Sequence, residues 1–270
     1  MSNIVAMALC RIQDNSKLEY NKDKGADKTF KLYSSMADIL CESADRFVEG
    51  EWDFEIIEND VKNYQEIFDK NFGEVYEMWD GGKNNILFLD LDTFIVNEVD
   101  VFGKLEDFQL FNYTDPKTLG GNDANNKYGL QHQHYLNAGV RYYPSSMSQN
   151  VWDLGWKYAK DWDYNIWGTE QIIFNEMMYS QNKDHTHWLD PTMNYQMMNA
   201  TPDLLENANY ITQLNAWNNT TLNEAKILHL HGTRGAEQTI LTQWTLWEKL
   251  TGEQFEFEHI EIVNGGVKYK

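Results

Sequence analysis

The stretch "NNILFLDLDTFIVNEVDVF", residues 84 to 102, runs through four consecutive apolar side chains, Ile86 to Leu89, and then sets two carboxylates, Asp90 and Asp92, one residue apart. A run that is apolar at every position, rather than at alternate ones, suits a strand covered on both faces, as strands are in a parallel sheet flanked by helices. The rest of the chain supplies the partners such a strand needs. "NIVAMALC" (3 to 10) and "DFEIIEN" (53 to 59) read as strands of the same kind. Between them "KTFKLYSSMADILCESADRF" places Phe30, Tyr33, Ala37, Leu40 and Ala44 on one helical face. "NDVKNYQEIFDKNF" reads as a short helix carrying Val61, Tyr64 and Phe68.

Further along, "FQLFNYT" and "LNAGVRYYP" read as strands, the second ended by Pro144. "QNVWDLGWKYAKDW", with Trp152, Trp156 and Ala159 at i, i+4 and i+7, and "TEQIIFNEMMYSQ" read as helices. "AKILHLHG" is a late strand and "LTQWTLWEKL" a late helix, while residues 194 to 224, rich in Asn and Thr, follow neither period. Alternating β and α elements imply an α/β fold with a mostly parallel central sheet and flanking helices. We expect one domain over residues 1–250 and an accessory tail, a hairpin, over 251–270.

Charge narrows the partners. With 22 Lys plus Arg against 42 Asp plus Glu, the 270-residue chain carries a formal charge of −20, which argues against sequence-independent binding of nucleic acid or anionic lipid. Cys10 and Cys41 allow one disulfide at most and no multi-cysteine zinc site. A reducing cytoplasm is the expected setting. The N-terminal segment has no basic stretch ahead of its apolar run, so it reads as a strand rather than a signal peptide. No window approaches the roughly 18 apolar residues of a membrane span.

Asp90 and Asp92 fall where the most apolar strand ends, the edge at which open α/β sheets bind ligands. Adjacent like charges repel unless something positive lies between them, and a hard divalent cation accepts such oxygen ligands. The plainer explanation is a pair of aspartates capping the following turn. A third reading is a phosphatase of the haloacid dehalogenase type, with Asp90 attacking phosphorus. Those chains usually open with this strand and follow it with Gly-Thr, whereas here some eighty residues precede it and "TFIVNEVD" follows.

"ILFLDLDTFIVNEVDVF" resembles the Asp-x-Asp segment of GT-A-fold glycosyltransferases, above all the retaining, glycogenin-like family eight. Three more segments match that family in order: "YLNAGVRYYPSS" its Phe-Asn-Ala-Gly-Val motif, "WGTEQIIFNEMM" its Asp-Gln helix, and "AKILHLHGTRG" its late His-Phe-x-Gly segment. The resemblance implies a hexosyltransferase that uses a nucleotide-diphosphate sugar, commonly UDP-linked, with retention at the anomeric carbon. The acceptor could be a glycan, a protein or a small molecule. It implies Mn²⁺, or Mg²⁺, held by Asp90, Asp92 and His229. His231 shares a strand face with His229 at i and i+2, so spacing alone leaves either as the ligand, and the family likeness favours His229.

The resemblance further places Asn137, Glu170 and Gln171 at the reacting sugar, where Glu170 stands for the family's Asp. Leu91, Ala138 and Gly139 would lie along the donor, and Gly232 and Arg234 against its phosphates. Ala6, Ala8 and Arg11 are candidates for the nucleoside by position on the first strand and the loop that follows. His132 with His134, and His185 with His187, repeat the i, i+2 spacing without a motif and read as ordinary strand or loop histidines. Of the ten tryptophans, Trp188 and Trp217 lie in polar surroundings and are candidates for stacking on an acceptor sugar. A binding protein of the same fold without turnover is the remaining alternative.

Overall fold

A computed structural model describes residues 2–12, 26–111, 113–114, 135–161, 169–181, 190–230 and 235–270. Its central sheet has five strands in the order β2-β1-β3-β8-β5. These are β1 (Ser2–Ile12), β2 (Asp53–Val61), β3 (Asn84–Leu89), β5 (Gln109–Leu110) and β8 (Val140–Tyr143). β1 pairs in parallel with both β2 and β3, whereas β8 runs antiparallel to β3 and to β5. Four of the five strands therefore point one way and β8 alone opposes them.

The unbroken apolar run of β3 has a direct structural use. Ile86 and Phe88 face one layer of core together with Ile4 and Ala6 of β1. Leu87 and Leu89 face the opposite layer with Val5 and Met7. Helix α2 (Tyr64–Trp79) covers the first layer, with α3 (Gln149–Asp161) and α4 (Thr169–Gln181) beside it. Helix α1 (Ala26–Phe47) covers the second through Ala37, Leu40 and Ala44. Each fully buried aliphatic or aromatic side chain of β3 contributes about 1.5–3 kcal/mol of transfer free energy, so two-sided burial makes this strand the best anchored place to mount a site. The tryptophans Trp79 and Trp152 belong to the first layer, with Trp152 stacked on Tyr143 at a centroid distance of 5.2 Å.

A second, three-stranded sheet sits beside the first: β4 (Thr93–Ile95), β10 (Ile227–His229) and β9 (Tyr195–Gln196), in the order β4-β10-β9. β4 follows β3 after a three-residue turn, so the two sheets meet where β3 ends. Helix α6 (Ala236–Thr251) packs behind them. The tail adds a hairpin, β11 (Ile260–Val263) with β12 (Gly266–Tyr269), whose Ile260 is buried against the same cluster as α6. Two short strands, β6 (Tyr113–Thr114) and β7 (Tyr135–Leu136), complete the described strands.

Three segments depart from the periodicity. Val61 ends β2 instead of opening a helix, because Asn63 caps α2 by accepting from the Glu66 N–H (2.8 Å). "LNAGVRYYP" is split at Asn137–Gly139, its first part pairing with β6 and its second with β3. The stretch from 194 to 224 contains helix α5 (Ala208–Asn218), capped by Asn207 and too polar to show a stripe. His132, His134, His185, His187 and Trp188 lie outside the described residues. Among the described residues no helix is long and apolar enough to cross a membrane, and both cysteines are free.

Candidate active site

The turn after β3 gathers the site. The Asp90 N–H donates to the Gly139 carbonyl (2.8 Å), continuing the β3/β8 ladder by one bond. The Asp90 carbonyl then accepts from both the N–H and the hydroxyl of Thr93 (3.0 and 2.7 Å), which closes the turn and starts β4. On the α6 side, the Gln243 amide donates to the carbonyls of Leu91 and Thr93 (3.0 Å each) and pins the turn from behind. These bonds close the turn through its backbone carbonyls and N–H groups, without using either carboxylate.

His229 arrives from β10. Its register partner across the antiparallel pair is Thr93, and the Leu230 N–H donates to the Asp92 carbonyl (2.8 Å). One ligand atom from each of Asp90, Asp92 and His229 lies within 4.8 Å of the others, the sole such three-residue grouping among the described residues. Donor atoms that close can share one divalent ion at its usual distances of about 2.0–2.6 Å. Two carboxylates with one imidazole make a mixed oxygen and nitrogen donor set of the kind that holds first-row divalent ions.

A buried chain of bonds sets which imidazole nitrogen faces the two carboxylates. The Asn194 amide donates to the Phe111 carbonyl (2.9 Å) and to Asn137 Oδ1 (3.0 Å), so its own oxygen must accept. That oxygen lies 3.2 Å from His229 Nδ1, which therefore carries the proton. Nε2 is turned to Asp92 Oδ1 at 3.2 Å, the side on which an ion shared with Asp92 would lie. Burial pulls the His229 pKa down, but the charge and hydrogen bond of Asp92, with Asp90 behind it, outweigh burial and raise it above the ordinary 6.5. In chelator, the imidazolium–Asp92 contact is accordingly expected to stabilise the fold fully below about pH 6.5 and to lose that contribution as pH rises through the higher folded-state value. Thermal melts of the wild type against a His229→Gln variant, from about pH 5 to about pH 9, should show the difference shrinking at the alkaline end.

The other sequence candidates divide by their distance from this cluster. Asn137, Ala138, Leu91, Glu170, Gln171 and Ala8 line a cleft of about 520 Å³ that contains Asp90 and Asp92. That size suits a small-molecule ligand. Gly139 lies beneath it, and the room it leaves is taken by the His229 ring: a Cβ there would overlap Cε1 and lie 2.6 Å from Nδ1. Arg11 is outside the cleft lining, half exposed, with its guanidinium 4.3 Å from the Phe30 ring centroid. His231, Gly232 and Arg234 lie outside the described residues, and Trp217 is half-buried on α5.

Helix α4 holds the cleft wall in register. The Gln171 side chain accepts from the Ala138 N–H (3.1 Å), and Asn175 both accepts from the Leu136 N–H and donates to its carbonyl (2.9 and 2.8 Å). Asn137 Oδ1 is taken by Gly139 N–H and Asn194, so its amide nitrogen is the part left for a ligand. Glu170 is open to solvent within the cleft, yet surrounded closely enough that loss of hydration raises its carboxyl pKa. A bond from its own N–H opposes that rise, Asp90 adds to it and Arg141 opposes it.

Arg141 went unrecognised in the sequence because "GVRYYP" reads as an ordinary strand. It is 8% exposed, and its guanidinium lies 4.1 Å from the Phe88 ring centroid and 4.5 Å from that of Phe174, with Nη2 3.2 Å from Asp90 Oδ1. A single charged residue inside an otherwise uncharged strand, "GVRYYP", was the available clue. Asn175, Asn194 and Gln243 were missed as well, since lone amides on helices and loops carry no spacing signal.

No protein-family model matches the sequence, and no curated protein matches it. Solved structures do. The chain is similar to the bifunctional glycosyltransferase WbbM in its apo structure, with TM-score 0.55 and 12% identity over 94% of this chain and 52% of that one. It is also similar to a glycosyltransferase involved in the glycosylation of the major capsid of PBCV-1, with TM-score 0.51 and 10% identity over 87% of this chain and 96% of that one. Identity this low speaks to the fold, and the fold is that of the GT-A glycosyltransferases.

Proposed function

We propose that the protein is a divalent-cation-dependent glycosyltransferase of the retaining, glycogenin-like kind, transferring a hexose from a UDP-linked donor. The single observation that carries this reading is the convergence of Asp90, Asp92 and His229, with the two aspartates lining a cleft, in a fold shared with glycosyltransferases. The cleft would otherwise reject its ligand, for Asp90, Asp92 and Glu170 face it against Arg141, and a diphosphate needs a positive partner there.

Asp90, Asp92 and His229 would hold Mn²⁺, which supplies the positive charge that a departing diphosphate requires without any proton transfer. Ala8 would border the nucleoside, with Leu91 and Ala138 along the donor. The Asn137 amide is placed to donate to a sugar hydroxyl. Glu170, on the cleft wall, would orient the acceptor hydroxyl or steady positive charge at the anomeric carbon, while Gln171 keeps Ala138 in place. Gly232 and Arg234 follow His229 closely enough in the chain to reach the same diphosphate. Two free thiols favour a reducing, cytoplasmic setting.

Calorimetric titration with UDP, with and without Mn²⁺, tests the reading. UDP affinity should depend on Mn²⁺, and equally tight binding in chelator would overturn it. Hydrolysis of a panel of nucleotide sugars then separates an enzyme from a binding protein and names the sugar. Glu170→Gln is expected to lower turnover by about a hundredfold while donor affinity changes little. Unchanged turnover removes Glu170 from the chemistry.

A further inference from the structure

We propose that Arg141 is a built-in counter-cation of this site, which makes the metal ion and the diphosphate bind together and each poorly alone. The inference rests on the reading above and concerns a residue that the sequence motifs do not include. Arg141 reaches the site from the middle of β8, where its register partner on β3 is Phe88. The guanidinium lies between Phe88 and Phe174, so it is clamped by strand and helix at once. Its Nη2 meets Asp90 Oδ1 at 3.2 Å, while its Nε is sealed from water and has no hydrogen-bond partner.

Leaving a buried donor unpaired is costly, and stability alone would favour an apolar side chain between two phenylalanines. The position of the charge offers a functional reason for the arginine. A cation bound to Asp90 would sit about 5 Å from the guanidinium, given the 3.2 Å contact and an ordinary metal–oxygen distance. Even with the screening of bulk water, a single positive charge at that separation weakens binding of a divalent ion about tenfold. Arg141 also draws, through Oδ1, on the Asp90 charge that would attract the ion. A diphosphate reverses both effects, because its negative charge neutralises guanidinium and metal together. Metal and diphosphate must then favour one another by the same factor.

The test is calorimetric titration of Mn²⁺ into the full chain, first alone and then with saturating UDP, for the wild type, R141M and R141K. R141M fills the slot between the rings without charge, and it should bind Mn²⁺ alone about tenfold tighter than the wild type. The gain in Mn²⁺ affinity that UDP brings should shrink by a similar factor. R141K keeps the charge and should stay within about threefold of the wild type on both measures. R141Q repeats the neutral measurement should R141M fail to fold. A neutral variant that binds Mn²⁺ alone no tighter than the wild type, or that keeps the whole UDP-linked gain, overturns the assignment and leaves Arg141 as packing. Wild-type protein that binds no Mn²⁺ even with UDP overturns the metal site itself, and this inference with it.

Discussion

Asp92→Asn should abolish Mn²⁺-linked UDP binding while leaving the metal-free fold nearly as stable as before. Replacing outer hydrogen-bond partners of a metal ligand commonly costs 10- to 100-fold in affinity, so loss of a charged ligand is expected to cost about a hundredfold or more. The stability half of the expectation follows from how the turn is built. The Asp90 carbonyl, the Thr93 groups and the Gln243 amide close it, and the Asp92 carbonyl takes the Leu230 N–H. All of those bonds survive in an asparagine variant. The substitution weakens the contact with His229 (3.2 Å) but also relieves the crowding that raises the Asp90 pKa alongside burial. We expect a net change within about 1 kcal/mol, measured as a shift in denaturant midpoint in chelator. A collapse of the metal-free protein would identify the aspartates as turn caps and remove the metal from the account.

Gly139→Ala should damage fold and site together. The added Cβ would lie 2.6 Å from His229 Nδ1 and 3.0 Å from Asn137 Oδ1, besides overlapping the ring carbon Cε1. Relief by moving His229 is blocked, because its ring is buried and held between Asn194 and Asp92. Relief by moving the glycine is blocked too, because its carbonyl accepts from Asp90 and its N–H donates to Asn137. Overpacking of this kind costs about 1–3 kcal/mol, and a loss of 2 kcal/mol in a chain of this size lowers Tm by about 4–8 °C. Since the ring that must yield is a proposed metal ligand, Mn²⁺ affinity should fall as well. Normal affinity in a stable Gly139→Ala protein would show that His229 is not held where the structure puts it.

Both variants bear on how much could be read in advance. The two-sided burial of β3 was legible because it needs four successive apolar residues, and that pattern survives any rearrangement elsewhere. The exit of Asp90 and Asp92 from that strand was legible for the same reason: their distance along the chain is two residues whatever the fold. His229 was reached through its motif, since spacing alone could not separate it from His231. The order of strands was another matter. Gly139 marks an irregularity in the segment from 136 to 144, but nothing there signals that its two parts pair with different strands.

Local sequence thus settled the parts whose physics is local: strand period, helix period and the acids at the end of β3. Tertiary structure alone decided the parts that depend on which distant groups end up adjacent. The His229 ring is oriented by Asn194 and Phe111, the Asp turn is held by an amide some 150 residues downstream, and Arg141 is clamped by rings from two elements. Hydrogen bonds and charge pairs act over a few ångströms in space and are indifferent to separation along the chain, so a linear pattern carries no trace of them until the chain has folded.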